Sequence, residues 1–249
     1  MVDPGENSAV YVEAYGLRAR VELVVGDPHA VLSQVLPVPL HATPAPSSSV
    51  DPPADRTVVA RDIEELVRSV LPDLELWVAE WAHERVFVHA GCVAVDGRAI
   101  MLPGRSHAGK TTLTEALLRA GADYLSDEYA VLDSDGLVHA YPRPLRMRST
   151  GTWRSLEAEA VGSRTVAGPL PVALVARLSY DPAGTGWERL TPARGVLEVL
   201  DNTVCARSRP REAMDAVSAG LHGATVIAGT RGEADETARD LLSLLRSVS

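Results

Sequence analysis

The fold of this chain is decided by one stretch, which reads MLPGRSHAGKTT from Met101 to Thr112. From Gly104 onward it matches G-x-x-x-x-G-K-[ST], the pattern of a phosphate-binding loop. The glycines of this pattern let the backbone turn tightly, so that successive N–H groups can converge on an anion. The nucleotide-binding residues that the stretch predicts are Gly104, Arg105, Ser106, His107, Ala108, Gly109, Lys110, Thr111 and Thr112.

The segments beside this predicted phosphate loop have the patterns of a strand before it and a helix after it. Val86–Val95 and Arg98–Leu102 are apolar and predict two strands, with a tight turn at Asp96-Gly97. Thr112–Ala120 carries apolar residues at helical spacing. Such a helix points the positive end of its dipole at a bound phosphate, which favours a nucleotide site over a chance match in a glycine-containing turn.

Two acidic residues follow the next predicted strand, Asp123–Leu125. Asp127 and Glu128 stand where an acid can face Mg²⁺ and the γ-phosphate. Lys110 would contact the β- and γ-phosphates, and the Thr111 hydroxyl would ligate Mg²⁺. Adjacent side chains on extended backbone point to opposite faces, so at most one acid faces the phosphates unless the backbone kinks. A solvated acidic turn is the alternative.

A histidine precedes the loop on the first strand of the hairpin. If the turn at Asp96-Gly97 pairs Val95 with Arg98, counting outward places His89 opposite Gly104, at the loop end of the sheet. An imidazole beside a carboxylate can orient it or tune its pKa, and we expect His89 to steady Asp127 in this way. The sequence therefore favours a functional His89, with a satisfied core histidine as the alternative.

Four runs around the loop carry a family resemblance. They are Val88-His89-Ala90-Gly91, the run from Val95 to Gly104, Gly109-Lys110-Thr111, and the run from Gly121 to Glu128. Together they resemble the HPr kinase/phosphorylase-like family, and within it the short standalone bacterial serine-kinase relatives. The resemblance is dense over Val86–Arg148 and diffuse elsewhere. It implies an α/β fold with a P-loop kinase core of the HPr kinase or ATP-dependent phosphoenolpyruvate carboxykinase type, in which helices flank a mixed sheet.

The resemblance also implies roles for individual residues. Asp127 matches the acid taken in the family as catalytic base toward the acceptor hydroxyl, and His89 matches the histidine upstream of the loop. Lys110 matches the phosphate-binding lysine. Thr111 and Glu128 match the residues linked to the metal. The cofactors that the family implies are ATP and Mg²⁺.

Three features depart from the family pattern. His107 stands where a glycine or another small residue is usual, and Glu128 stands where an aspartate is expected. The Glu-containing signature of full-length HPr kinases is absent, and Tyr141–Arg148 occupies its place. The resemblance therefore does not imply phosphorylase activity or HPr as the substrate.

Arginines are the remaining cations that could stabilise a transferred phosphoryl group. The candidates by position are Arg143, Arg146, Arg148, Arg207, Arg209 and Arg211. Solvated surface is the alternative for each of them.

Composition narrows the class of protein. The chain has 249 residues, 46% of them hydrophobic, and a net charge of −9, so no overall basic field favours nucleic acid or an anionic membrane. Cys92 and Cys205 lie in apolar segments and predict small buried hydrophobes instead of a disulfide framework. The acidic start, Met1–Asn7, is unlike a signal peptide, and we expect a cytoplasmic protein.

The chain is expected to divide near residue 85. Residues 1–85 predict a small N-terminal segment of strands and helices with a Pro/Ser-rich loop at 41–55, and residues 86–249 predict the P-loop kinase domain. Within the N-terminal segment, Leu32–Leu40 is compatible with a strand. Arg61–Leu71 and Asp73–Arg85 predict two helices separated by Pro72.

The predicted function is an ATP- and Mg²⁺-dependent kinase that transfers the γ-phosphoryl group to a hydroxyl. The expected partners are a nucleotide and a serine-bearing protein or peptide, such as a natural-product precursor, or a free small molecule. The alternative is a nucleotide-sensing module without phosphotransfer. A nucleic-acid-acting ATPase is disfavoured by the net charge and the missing motifs. The sequence leaves the oligomeric state, including a homo-oligomer, open.

Overall fold

The computed structural model describes residues 8–36, 40–44, 53–105, 108–149, 152–166, 168–184 and 186–247. The chain forms two compact units, Met1–Glu84 and Arg85–Ser249. The sequence placed this division one residue later, at 1–85 and 86–249.

The N-terminal unit is a small sheet with short helices. Its elements are β1 (Ser8–Ala14), β2 (Leu17–Leu23), α1 (Pro28–Val35), β3 (His41–Pro44), β4 (Arg56–Ala60), α2 (Ile63–Glu65), a π-helical turn (Leu66–Val70) and α3 (Leu71–Trp81). The strand order is β3-β1-β2-β4, with β2 and β4 parallel and the other pairs antiparallel.

The structure differs in part from three expectations for this unit. A strand was expected over Leu32–Leu40, but the first residues of this range belong to helix α1. The helix forms because the Asp27 carboxylate caps the first N–H groups of α1 and Pro28 lies in its first turn. The loop at 41–55 begins as a strand instead, since β3 pairs with β1, while residues 45–52 lie outside the described ranges. The two helices join through the π-helical turn, and Pro72 lies in the first turn of α3.

The C-terminal unit alternates strands and helices. Its elements are β5 (Val86–Val95), β6 (Arg98–Pro103), α4 (Lys110–Arg119), β7 (Asp123–Ser126), β8 (Tyr129–Leu132), β9 (Val138–His139), β10 (Leu145–Ser149), β11 (Thr152–Leu156), a 3-10 turn (Ala158–Val161), β12 (Val172–Tyr180), β13 (Gly186–Arg189), α5 (Pro192–Leu200), a 3-10 turn (Val204–Ala206), α6 (Pro210–Gly220), β14 (Thr225–Arg231) and α7 (Ala234–Ser247).

The main sheet of this unit is mixed. Its order is β13-β14-β12-β6-β5-β8-β9, with β7 also paired to β5. Strands β6, β12 and β14 are parallel, and the remaining pairs are antiparallel. The carboxyl ends of these three parallel strands therefore lie at one edge of the sheet, which is the edge from which the predicted phosphate loop leaves β6.

Helices cover both faces of this sheet. On β5, Val88 and Cys92 pack in the core with α5 and α6, whereas Val93 packs in the core with α4 and α7. This division follows from the alternation of side chains along a strand. Cys92 and Cys205 are buried free cysteines, as expected. Within the described ranges, no helix is both long and apolar enough to cross a lipid bilayer.

The register of the β5–β6 hairpin confirms the predicted one. Asp96 and Gly97 have φ values of 51° and 73° and form the tight turn. Pairing runs from Val95 with Arg98 outward to Ala90 with Pro103, and the Gly104 N–H donates to the His89 carbonyl at 3.3 Å. His89 therefore lies opposite Gly104, at the start of the loop.

Candidate active site

The predicted phosphate loop joins the end of β6 to the start of α4. Gly109 has φ 82°, a left-handed conformation that favours glycine, and is the N-cap of α4 without a side-chain cap. The first-turn N–H groups of a helix have no partner within the helix, so this end of α4 can accept an anion. Ser106 and His107 lie outside the described residues, and Thr112 is exposed.

Lys110 reaches back across the loop. Its Nζ donates to the Gly104 carbonyl at 2.7 Å and to the Arg105 carbonyl at 3.1 Å. Burial lowers the pKa of the Lys110 ammonium, and the charges of Glu128 and Asp127 oppose that shift. Both acids thus lie within electrostatic reach of the ammonium.

The Asp127 carboxylate is joined directly to the loop helix. The Thr111 hydroxyl donates to Asp127 Oδ2 at 2.8 Å, and Asp127 Oδ1 is buried without a hydrogen bond. Burial raises the pKa of Asp127 to about 6, although the Thr111 hydrogen bond opposes the shift. The carboxyl group therefore titrates closer to neutral pH than an exposed aspartate does.

Gly91 on β5 provides space for the Thr114 hydroxyl, which lies next to this carboxylate. A Cβ at Gly91 would lie 2.5 Å from Thr114 Oγ1 and 3.8 Å from Asp127 Oδ1. The Thr114 hydroxyl also lowers the pKa of Asp127, at a geometry that falls short of a normal hydrogen bond. Oδ1 thus lies near Gly91 of β5, while Oδ2 accepts the hydrogen bond from Thr111 of α4.

Glu128 is paired with His89. The distance from His89 Nε2 to Glu128 Oε1 is 3.5 Å, and this contact lowers the pKa of Glu128. The His89 N–H donates to the Asn202 carbonyl at 2.8 Å, which fixes the backbone at this position. The imidazole was expected beside Asp127, but it lies against the neighbouring acid, Glu128.

The backbone bends at Asp127 and Glu128, between β7 and β8. The N–H groups of Glu128 and Tyr129 both donate to Ser126 Oγ, at 3.2 and 3.1 Å. This bend between β7 and β8 is the kink that two adjacent acids need if both are to influence one site. Asp127 accepts a hydrogen bond from Thr111 of α4, and Glu128 contacts His89 of β5.

Sequence analysis missed Arg231, the last residue of β14. Its side chain is 3% exposed, and its two Nη atoms donate to the carbonyls of Gly232 at 2.9 Å and Gly109 at 3.0 Å. The guanidinium lies 5.3 Å from the ring centroid of Tyr180, at the end of β12. A polar residue at the carboxyl end of a parallel strand is the signal that could have found it.

The arginines that the sequence offers as candidates for phosphate contact differ from Arg231 in their surroundings. Arg143 lies close enough to Glu128 to lower the pKa of that acid. Arg209 forms an ion pair with Glu212 at 2.8 Å and donates to a backbone carbonyl, so its role is structural. Arg207 and Arg211 are exposed, and the side chains of Arg146 and Arg148 lie outside the described set.

The basic residues of the chain have an unusual distribution. Lys110 is the only lysine in the sequence, and arginine supplies the other 23 of the 24 Lys and Arg side chains. The one primary amine carried by a side chain therefore stands at the lysine position of the phosphate-loop pattern.

Among the described residues, no group of three or more His, Cys, Asp or Glu side chains could by itself hold a metal ion. The oxygen atoms near the loop are the Thr111 hydroxyl and the carboxylates of Asp127 and Glu128. These are hard oxygen donors, which Mg²⁺ prefers.

Comparison with known proteins adds little to this geometry. No protein-family model matches the chain, and no curated protein matches it. Among solved structures, it is similar to the Hpr(Ser) kinase/phosphatase from Coxiella burnetii, with 14% sequence identity and a TM-score of 0.38, over 64% of this chain and 95% of that one. A likeness this distant carries no argument, and the functional case depends on the side chains described above.

Proposed function

We propose that this protein is an ATP- and Mg²⁺-dependent kinase that transfers the γ-phosphoryl group to a hydroxyl, with a serine side chain as the favoured acceptor. The observation that carries the proposal is the hydrogen bond between Thr111 and Asp127 beside Lys110. It joins the phosphate-loop pattern to a carboxylate of raised pKa, which is the pairing that hydroxyl phosphorylation needs.

The chain's own groups account for binding of the triphosphate. The uncapped first turn of α4 supplies backbone N–H groups and the positive end of a helix dipole. Lys110 now donates to two loop carbonyls, and these are weaker partners than a phosphate oxygen. The ammonium would therefore turn to the β- and γ-phosphates when a nucleotide is bound.

The oxygen donors fit Mg²⁺ held mainly by the nucleotide. Mg²⁺ in kinase sites keeps several waters and takes few protein ligands in addition to phosphate oxygens. The Thr111 hydroxyl and the Glu128 carboxylate would hold it, because the contact with His89 keeps Glu128 ionised. When bound, Mg²⁺ neutralises the charge that develops on the phosphate oxygens.

Asp127 would act as the base. The acceptor hydroxyl gives its proton to Asp127 Oδ2, which faces the loop helix, as its oxygen forms a bond to the γ-phosphorus. The bond from that phosphorus to the β,γ-bridging oxygen breaks, which leaves ADP and a phosphoester. Burial favours this role because it raises the pKa of Asp127 to about 6.

The acceptor class comes from the family resemblance and from the chemistry of hydroxyl phosphorylation. A serine on a peptide or a small protein is the acceptor implied by the family resemblance, and a free small molecule with a hydroxyl is the alternative. Transfer from [γ-³²P]ATP to free serine, serine-containing peptides and cell extract would separate these classes. Label on the peptides or on protein supports the proposal, and the absence of transfer to any acceptor while ATP binds would favour a nucleotide-sensing module.

The single lysine offers a direct test of nucleotide binding. An amine-reactive reagent should modify only Lys110 and the N-terminal amine. ATP with Mg²⁺ should protect Lys110 from the reagent and leave the N-terminal amine unprotected, as peptide mass spectrometry can measure. Equal modification of Lys110 with and without saturating ATP would refute a phosphate contact by this residue.

A further inference from the structure

Arg231 is a buried cation that forms no ion pair with the residues the structure describes, although the charge of Glu233 acts on it from farther away. Its side chain is 3% exposed, and no ion pair within 4.0 Å joins it to an acid among the described residues. Its Nε is buried and makes no hydrogen bond. Burying a charge that is only partly compensated lowers the stability of the fold. Such a charge is therefore expected where it binds an anion or has another functional role.

The guanidinium is fixed at the base of the predicted phosphate loop. One Nη atom donates to the Gly109 carbonyl at 3.0 Å, and the same carbonyl accepts the first helical hydrogen bond of α4, from the Leu113 N–H at 3.1 Å. A Cβ at Gly109 would lie 2.5 Å from that Nη atom. A side chain at position 109 would therefore be strained by the positive φ and would also have to displace the guanidinium of Arg231.

The surroundings hold the guanidinium in place from the other side. The other Nη atom donates to the Gly232 carbonyl at 2.9 Å. The ring of Tyr180 lies at 5.3 Å, and the Tyr180 hydroxyl donates to Glu233 at 3.1 Å. The planar group is thus held by two carbonyls and one aromatic face, an arrangement that suits arginine better than lysine.

We propose that Arg231 is a positioning residue of the phosphate pocket, which fixes the Gly109 end of the loop and adds a second positive charge to that of Lys110. The inference rests on the proposed nucleotide-binding function and names a residue that the loop pattern does not contain. The charge is compensated when the loop binds a polyphosphate, so Arg231 should favour ATP and ADP over AMP.

The test compares Arg231→Met with Arg231→Lys. A matched control is Arg239→Met, which removes an exposed arginine of α7 that donates only to a backbone carbonyl. Titration calorimetry should show that Arg231→Met weakens ATP and ADP binding about tenfold or more. The reason is that hydrogen bonds made by a charged group contribute more free energy than those between neutral groups. Arg231→Lys should recover part of the affinity, because the charge remains, and the control should match the wild type.

Two further readouts separate positioning from a merely structural role. The ATP affinity of Arg231→Met should depend less steeply on salt than that of the wild type, because one cation is lost. Its ligand-free melting temperature should not fall, because the substitution removes a buried charge that two carbonyls, the Tyr180 ring and the nearby charge of Glu233 compensate only in part. Equal weakening of ATP binding in Arg231→Met and Arg231→Lys, together with lower melting temperatures for both, would overturn the inference.

The remaining outcomes are also decisive. Wild-type ATP binding with an unchanged affinity in Arg231→Met would overturn the role of Arg231 and leave the proposed function intact. A wild-type protein that binds no nucleotide would overturn both.

Discussion

Thr111 and Asp127 are 16 residues apart in the chain, and the Thr111 hydroxyl donates to Asp127 Oδ2 at 2.8 Å. This hydrogen bond connects the first turn of α4 with the bend between β7 and β8. It positions one carboxylate oxygen toward the loop helix, while burial of the other oxygen raises the pKa of the group. The proposed chemistry depends on this connection.

Replacement of Thr111 by valine should remove the connection at nearly constant volume. Without the hydroxyl, a carboxylate oxygen loses its donor, at a cost of about 1–3 kcal/mol for a buried acceptor. We expect kcat/KM for ATP to fall by about 100-fold or more, the effect typical of losing one positioned donor. Steady-state kinetics would measure this fall. The control variant Thr111→Ser should keep most of the wild-type activity, because serine retains the hydroxyl. Equal activity of the valine and wild-type proteins would contradict the assigned role.

His89 should matter through Glu128. Removal of the imidazole in His89→Ala takes away the contact at 3.5 Å that lowers the pKa of Glu128 and orients it. We expect the Mg²⁺ concentration for half-maximal activity to rise about tenfold, as for other groups that support a metal ligand. ATP binding in EDTA should be unchanged.

A histidine control is available for that experiment. His222→Ala changes an exposed histidine after α6 and should leave the Mg²⁺ dependence at the wild-type value. The backbone at His89 is held by hydrogen bonds of its N–H and its carbonyl, so the alanine variant should keep its fold. If His89→Ala and wild type respond identically to Mg²⁺, the pairing with Glu128 has no role in metal binding.

Local sequence signals were enough to predict the hairpin that leads into the loop. The Asp96-Gly97 turn fixes the register by its own backbone preference, so simple counting placed His89 opposite Gly104. A local signal was also present where the prediction failed. Asp27 followed by Pro28 is typical of a helix start, whereas the apolar character of Leu32–Leu40 favours a strand.

The contacts made across the sheet could not be predicted in the same way. Arg231 reaches Gly109 only because β14 pairs in parallel with β12 and β12 with β6. The apolar run Thr225–Ala228 indicates a short strand, and the structure extends this strand by three residues to the arginine. Likewise, His89 contacts Glu128 instead of Asp127 because the backbone bends where Ser126 Oγ accepts the Glu128 N–H. A sequence pattern does not specify this bend.

The raised pKa of Asp127 predicts a pH-dependent gain in stability for Asp127→Asn. The ordinary pKa is 3.8 and the folded value is about 6, so the folded state holds the proton more tightly than the unfolded state. The ionised carboxylate therefore costs stability, and this cost grows from about pH 4 to about pH 6 and is constant above that range. Asparagine keeps an acceptor for the Thr111 hydroxyl and avoids the cost.

The expected gain is about 1–3 kcal/mol in the free energy of unfolding at pH 8, from the size of the pKa shift. Chemical denaturation in EDTA at pH 8 and pH 4 would measure it, and the gain should be small at pH 4. Asp135→Asn, in the exposed β8–β9 turn, is the control and should show no such pH dependence. A destabilised Asp127→Asn protein at pH 8 would mean that the carboxylate is well compensated in the fold.

The same Asp127→Asn variant gives the most direct test of the central claim, when phosphoryl transfer and ATP binding are measured side by side. With an acceptor found in the labelled-ATP panel, we predict that transfer falls by about 100-fold or more, the usual contribution of a general base. ATP affinity should remain at the wild-type value, because Lys110 and the loop amides are unchanged. Transfer at the wild-type rate by Asp127→Asn would contradict the account.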